Sequence, residues 1–206
     1  AGMRDNYQIA RENAEKLFVQ MDQDALIRLH DLRADADHIY IDYLGRGFRI
    51  DRASGRVEYV GAQPRGAGFS ETLAIFDYLS HTPAPAAGLW CATNSLKHVG
   101  QSQPSAGKLH RARAEALQAK LSLIVPALAG LSCAPFPRGD AACVFPVFSD
   151  VRAAFQFWAA DEDFPAQIGF FWDENVLSRL RYETLYYVMG DFLELLEVRI
   201  AELERQ

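Results

Sequence analysis

The 206-residue chain is 50% apolar and 23% charged, an ordinary globular composition, long enough for one sizeable core or two small ones. Its 27 acids against 21 Lys and Arg leave a net charge of −6, so it lacks the basic footprint of a nucleic-acid binder. No run approaches the roughly 18 apolar residues of a membrane span, and the odd, widely spaced set Cys91, Cys133 and Cys143 argues for a reducing compartment, the cytoplasm, over a disulfide framework.

Residues 4 to 33 read as helix, with Tyr7, Ala10, Ala14, Leu17, Phe18 and Met21 at helical spacing. Asp22-Gln23-Asp24 is placed to cap a second short helix. The period then changes to two. Ile39, Ile41 and Tyr43, then Phe48 and Ile50, then Val57 and Tyr59, predict three antiparallel strands between 38 and 60. Gly55 supplies the positive φ of the second turn.

A helix is expected over about 70 to 80, with Ser70 as N-cap and Glu71 at the positive helix end. Residues 81 to 108 form an irregular segment, and Gln101 to Gly107 has nothing to bury, so mobility is expected there. A helix from about 109 to 129 follows, with Pro126 as a kink or an early stop. Strands are expected at 142 to 148, 151 to 160 and 167 to 173, and a long amphipathic helix from about 182 to 205. The whole reads as a single α+β domain over 1–206, with antiparallel strands from 38–60 and 142–173 packed against N-terminal, central and C-terminal helices.

The stretch "WAADEDFPAQIGFFWDEN" brings five acids close to two tryptophans and three phenylalanines. The alternation on both sides predicts a hairpin with Asp161, Glu162 and Asp163 at a solvated tip and Phe164 folded back over it. Asp173 then lies about 20 Å away along the returning strand, at ~3.3 Å per residue. Paired carboxylates need roughly 5 to 10 Å, so the two acidic groups are not one site.

Familiar catalytic signatures are missing. Gly66-Ala67-Gly68 lacks the third glycine of a dinucleotide fingerprint, and Glu71 stands in its place. Gly107-Lys108 is followed by Leu109 where a phosphate loop needs Ser or Thr. Gly68-Phe69-Ser70-Glu71-Thr72 lacks the second glycine of a nucleophile elbow. The five histidines form no metalloprotease pair. Cys91, His98, Cys133 and Cys143 have no short knuckle spacing, so no metal is expected and no cofactor is named.

The stretches "IDYLGRGFRIDRASGRV", "FSETLAIFDYLSH", "GDAACVFPVF" and "WAADEDFPAQIGFFWDENVLSRL" resemble an uncharacterised bacterial family, domain of unknown function 3786. The resemblance covers most of the chain from about residue 7. It implies that some relatives are joined to a short iron–sulfur segment, which this chain lacks, and it carries no catalytic residues.

The leading expectation is therefore a ligand-binding or accessory domain for a small molecule, without a catalytic motif of its own. Its lining would be Tyr43, Arg49, Trp90, His98, Trp158, Asp161, Asp163, Phe164 and Trp172. The first alternative is a metal-assisted hydrolase using His98 or His110 with Asp161 or Asp163. The second is an interaction protein that forms a homodimer through its C-terminal helix. Nucleic acid and membrane are not expected partners.

Overall fold

The computed structural model describes residues 6–96 and 110–206. Helices and antiparallel strands occur in blocks, making the fold α+β. The chain divides into two compact units. One comprises residues 1–85 and 177–191, the other residues 86–176 and 192–206.

The first unit opens with helix α1 (Asn6–Val19) and helix α2 (Gln23–Leu29). Asp22 caps α2 by accepting the Ala25 N–H at 2.9 Å. Strands β1 (Arg33–Ala34), β2 (His38–Tyr43), β3 (Arg46–Asp51), β4 (Val57–Tyr59) and β5 (Arg65–Gly66) form one antiparallel meander in chain order. The three expected strands are present, and short edge strands flank them. Between β2 and β3, Leu44 and Gly45 both take positive φ (51° and 70°), the two-residue turn that matches strand twist. Gly55 sits at φ 75°, and a Cβ there would come within 2.4 Å of the Glu15 carbonyl oxygen. Glycine thus serves both the turn and the close approach of α1.

Helix α3 (Phe69–Leu79) begins one residue before the expected boundary, and its cap differs. Gly68, extended at φ −71° and ψ 175°, is the N-cap, and Glu71 reaches back to accept its N–H at 2.8 Å. Ser70 lies inside the first turn, so its hydroxyl is free to bond elsewhere. Phe18 of α1 stacks on Phe76 of α3, centroids 5.0 Å apart.

In the second unit, strand β6 (Trp90–Ala92) and a 3₁₀ turn (Thr93–Ser95) lie within the segment expected to be irregular. Gln101 to Gly107 and His98 lie outside the described residues. Helices α4 (Arg111–Gln118) and α5 (Leu121–Ala129) replace the single expected helix. The break falls at Ala119 and Lys120, and Pro126 neither stops nor starts a helix but sits inside α5. Pro126 lacks the N–H that would bond to Ser122, and both residues face water, which can satisfy the freed carbonyl.

Strands β7 (Ala134–Pro135), β8 (Ala141–Phe148), β9 (Val151–Trp158) and β10 (Gln167–Asp173) complete the second sheet, ordered β6-β10-β9-β8-β7. Trp158 pairs with Gln167 and Trp172 with Ala153, so β9 and β10 are the expected hairpin.

Helix α6 (Tyr182–Leu203) contributes its start to the first unit and its remainder to the second. Of the apolar face expected from the sequence, Leu185, Met189, Phe192, Leu196 and Ile200 are buried and Leu203 is half-buried. Phe192 stacks on Phe145 at 3.9 Å between centroids and packs against Phe155 and Phe170, forming the aromatic centre of the second unit.

Candidate functional site

The sequence-derived lining residues fall into separate settings. Tyr43 and Arg49 belong to the first unit, on opposite faces of its sheet: Tyr43 is buried, whereas Arg49 forms a surface ion pair with Glu58 at 2.7 Å. In the second unit Trp172 is fully buried, and its indole N–H donates to Thr93 Oγ1 at 3.1 Å. Thr93 in turn donates to the Phe170 carbonyl at 3.2 Å.

Trp90 and Trp158 lie on the outer face of the second sheet, 40% and 48% exposed. They flank opposite ends of β10, roughly 20 Å apart at ~3.3 Å per residue. Trp90 packs edge-on to Phe136.

Phe164 is 63% exposed, which corrects the expectation that it folds back over the hairpin. The tip closes through Asp161 instead. Its Oδ1 accepts the N–H groups of Asp163 and Phe164 at 2.9 and 2.8 Å, and its own N–H donates to the Phe164 carbonyl. With the backbone turn closed by a side chain, the ring of Phe164 projects into water. Asp173 also has a backbone role that periodicity does not reveal. Its two oxygens accept the Ala87 and Gly88 N–H groups at 2.9 and 2.7 Å.

His110 is buried beside Phe170, and burial, then the nearby Arg113 charge, lower its pKa to about 4. It sits at the N-terminal end of α4, whose other end, Gln118, holds the Ala160 N–H of the tip at 2.8 Å. The length of α4, about 12 Å at 1.5 Å per residue, separates His110 from that anchor. Cys91 lies on the edge strand β6, three strand spacings (~14 Å) from Cys143 on β8. Among the described residues no three of His, Cys, Asp and Glu converge as a metal site would require.

A concave site forms in the first unit, where α1, α3 and the start of α6 meet. It encloses about 190 Å³. Ala14, Leu17, Phe18, Met21, Leu73 and Phe76 make an apolar floor and walls, while Asp77, Ser80, Arg181, Glu183, Thr184 and Tyr187 make the polar end. Leu17 is 64% exposed at the mouth, although it stands on the stripe that sequence assigns to the core.

Asp77 is the unusual member. Its side chain is only 8% exposed, and Oδ2 accepts the Arg181 N–H at 2.8 Å. Oδ1 lies 3.3 Å from Arg181 Nε and 3.6 Å from His81 Nδ1, yet it accepts no hydrogen bond among the described residues. A buried acceptor without a donor costs roughly 1–3 kcal/mol. Glu183, at the rim, accepts the Tyr187 hydroxyl at 2.8 Å. Burial and this carboxylate raise the Tyr187 pKa to about 12.

A second recess of about 300 Å³ between α1 and β4–β5 is lined by Arg11, Glu12, Glu15 and Arg56, with Val57, Gly66 and Ala67. Its acids and arginines are matched in number, and Arg11 approaches Glu15 at 3.7 Å. Among the described residues none of its carboxylate oxygens is buried without a hydrogen bond as Asp77 Oδ1 is.

The family model described as Domain of unknown function (DUF3786) matches residues 22–194. The chain belongs to this family. No curated protein matches it, and no solved structure matches it. The DUF3786 span includes Asp77, Arg181, Glu183 and Tyr187, and it begins after the α1 residues that form the opposite wall. Neither Asp77 nor Arg181 carries a sequence signal. They are 104 positions apart, in a helix and just ahead of another.

Proposed function

We propose that this protein is a small-ligand-binding or accessory domain of the cytoplasm, and that its ligand is a small amine with an apolar body, held in the groove of the first unit. The observation that carries the reading is Asp77, a buried carboxylate among the residues lining a largely apolar groove, whose Oδ1 accepts no hydrogen bond among the described residues. A primary ammonium supplies both a donor and a positive charge. Two carboxylates, Asp77 and Glu183, face one guanidinium, Arg181, so the local charge favours a cation. The apolar body would lie over Leu73 and Phe76 between Leu17 and Met21, and Met21 can adjust to its shape. At about 190 Å³ the groove is below the common range of roughly 300–1,000 Å³ for ligand pockets, which limits the ligand to a few carbons beyond its amino group.

A thermal-shift panel tests this, because binding to the folded state raises the melting temperature. Primary amines with three to seven carbons should stabilise the protein, whereas alcohols and carboxylates of the same length should not. Ala14→Leu, which fills the groove from α1, should abolish the shift without unfolding the chain. Equal shifts from amines and alcohols would remove Asp77 from the account, and no shift from any amine would remove the reading itself.

A further inference from the structure

In the second unit, independent of the groove, Cys133 and Cys143 place their sulfurs 3.0 Å apart. Both are free thiols, and a disulfide at ~2.04 Å needs a sulfur displacement of only about 1 Å. Cys143 is buried on β8, while Cys133, just ahead of the edge strand β7, is partly exposed. The hydrogen-bonded pairing of β7 with β8, Pro135 opposite Cys143, already closes the intervening loop. Oxidation therefore needs no large backbone rearrangement. Cys91 has no thiol neighbour of this kind among the described residues.

We propose that Cys133 and Cys143 form a thiol–disulfide exchange site, with Cys133 the attacking thiol and Cys143 the resolving one, acting on a small-molecule disulfide. The Cys143 thiol donates to Cys133 Sγ, which favours ionisation at Cys133 and raises the pKa of Cys143, so the more accessible sulfur is also the better nucleophile. In the first step the Cys133 thiolate attacks one sulfur of the small disulfide. That S–S bond breaks, one thiolate leaves, and a mixed disulfide forms on Cys133. In the second step Cys143 gives up its proton, and its sulfur attacks Cys133 Sγ, expelling the second small thiol. Two protein thiols are oxidised and one small disulfide is reduced to two thiols. Disulfides of this kind in a reducing compartment are transient and serve redox sensing or catalysis.

The test is incubation of the full-length protein with oxidised glutathione, followed by thiol counting and a non-reducing tryptic map. Cleavage after Lys120, Arg138 and Arg152 puts the two cysteines in separate peptides, 121–138 and 139–152. The thiol count should fall from three to one, and the two peptides should appear joined, with Cys91 still free. In Cys143→Ala, glutathione should remain trapped on Cys133. In Cys133→Ser, Cys143 should stay unmodified. A count that stays at three, a linkage involving Cys91, or a wild-type protein that retains glutathione on Cys133 would each overturn the proposal. The Cys143→Ala adduct reads the attacking step alone, so it also separates a failed first step from a failed second one.

Discussion

Tyr43 donates its hydroxyl proton to Asp191 Oδ2 at 2.8 Å, joining β2 to α6 across 148 positions of sequence. Ser70 donates to the other oxygen of Asp191 at 2.5 Å, so one buried carboxylate fastens sheet, helix α3 and helix α6 of the first unit. Tyr43→Phe keeps the ring packing but removes a donor from a buried charge. The expected loss is about 1–3 kcal/mol in denaturant melts. A neutral result would mean that Asp191 draws its stabilisation elsewhere.

The same pair sets an alkaline limit. Burial, then the Asp191 charge, raise the Tyr43 pKa well above its usual value. A group whose folded pKa is raised contributes stability that is present below its unfolded pKa, ~10 here, and lost as pH rises toward the folded value. The stability of wild type should fall above about pH 10 more steeply than that of Tyr43→Phe. Parallel curves for the two proteins would contradict the assignment.

His110 sets the acid side. Its folded pKa of about 4 lies below its unfolded value, so unfolding takes up a proton in the interval between them. Stability should be full above about pH 6.5 and fall by on the order of 2 kcal/mol as pH drops toward 4. His110→Phe should flatten that limb. If the variant keeps the full slope, the acid sensitivity belongs to other groups.

The hairpin tip should tolerate substitution. Asp161→Asn keeps an acceptor for the Asp163 and Phe164 N–H groups, and Glu162 and Asp163 are exposed. Replacing all three acids by amides, or Phe164 by Ala, should move stability by less than about 0.5 kcal/mol per site. Phe170→Ala, at the buried centre of the same hairpin, should cost about 3–5 kcal/mol. A large loss at Phe164 would show that its ring is covered in solution.

The period-two pattern disclosed β2, β3 and β10 because buried and more exposed residues alternate along each. It disclosed β4 because Val57 and Tyr59 share one face, and β9 because Val151, Phe155 and Phe157 do, although Ala154 and Gln156 on the other face of β9 are buried too. The 3.6 pattern did the same for α6. The helix break at Ala119 left no trace, since neither Ala119 nor Lys120 is a breaker and the restart is set by packing. Ser70 resembles a cap by residue type, but its hydroxyl is drawn to a carboxylate 121 positions away. The groove was hidden for a related reason. Leu17 and Met21 look like core on the stripe of α1, and only the placement of α3 and Arg181 turns that surface into a wall.

The dimer alternative rests on α6, and it can be tested simply. The apolar stripe of α6 is buried within the chain, and the remaining surface offers Val198 beside Glu194, Glu197 and Glu202. Glu197 is paired with Arg113 at 3.2 Å and Glu202 with Arg199 at 2.8 Å, and Val198 is too small an apolar patch to hold two copies together. Light scattering at high micromolar concentration should therefore give the mass of a monomer, about 23 kDa. A stable mass of twice that value would restore the interaction-protein reading.

The groove's claim to a ligand is tested most directly by two-dimensional amide NMR during titration with pentylamine. The account predicts saturable shifts at Leu73, Phe76, Asp77, Arg181 and Thr184, with the second unit unchanged, and their loss in Asp77→Asn. Shifts spread over the acidic surface, or shifts that persist undiminished in Asp77→Asn, would contradict it.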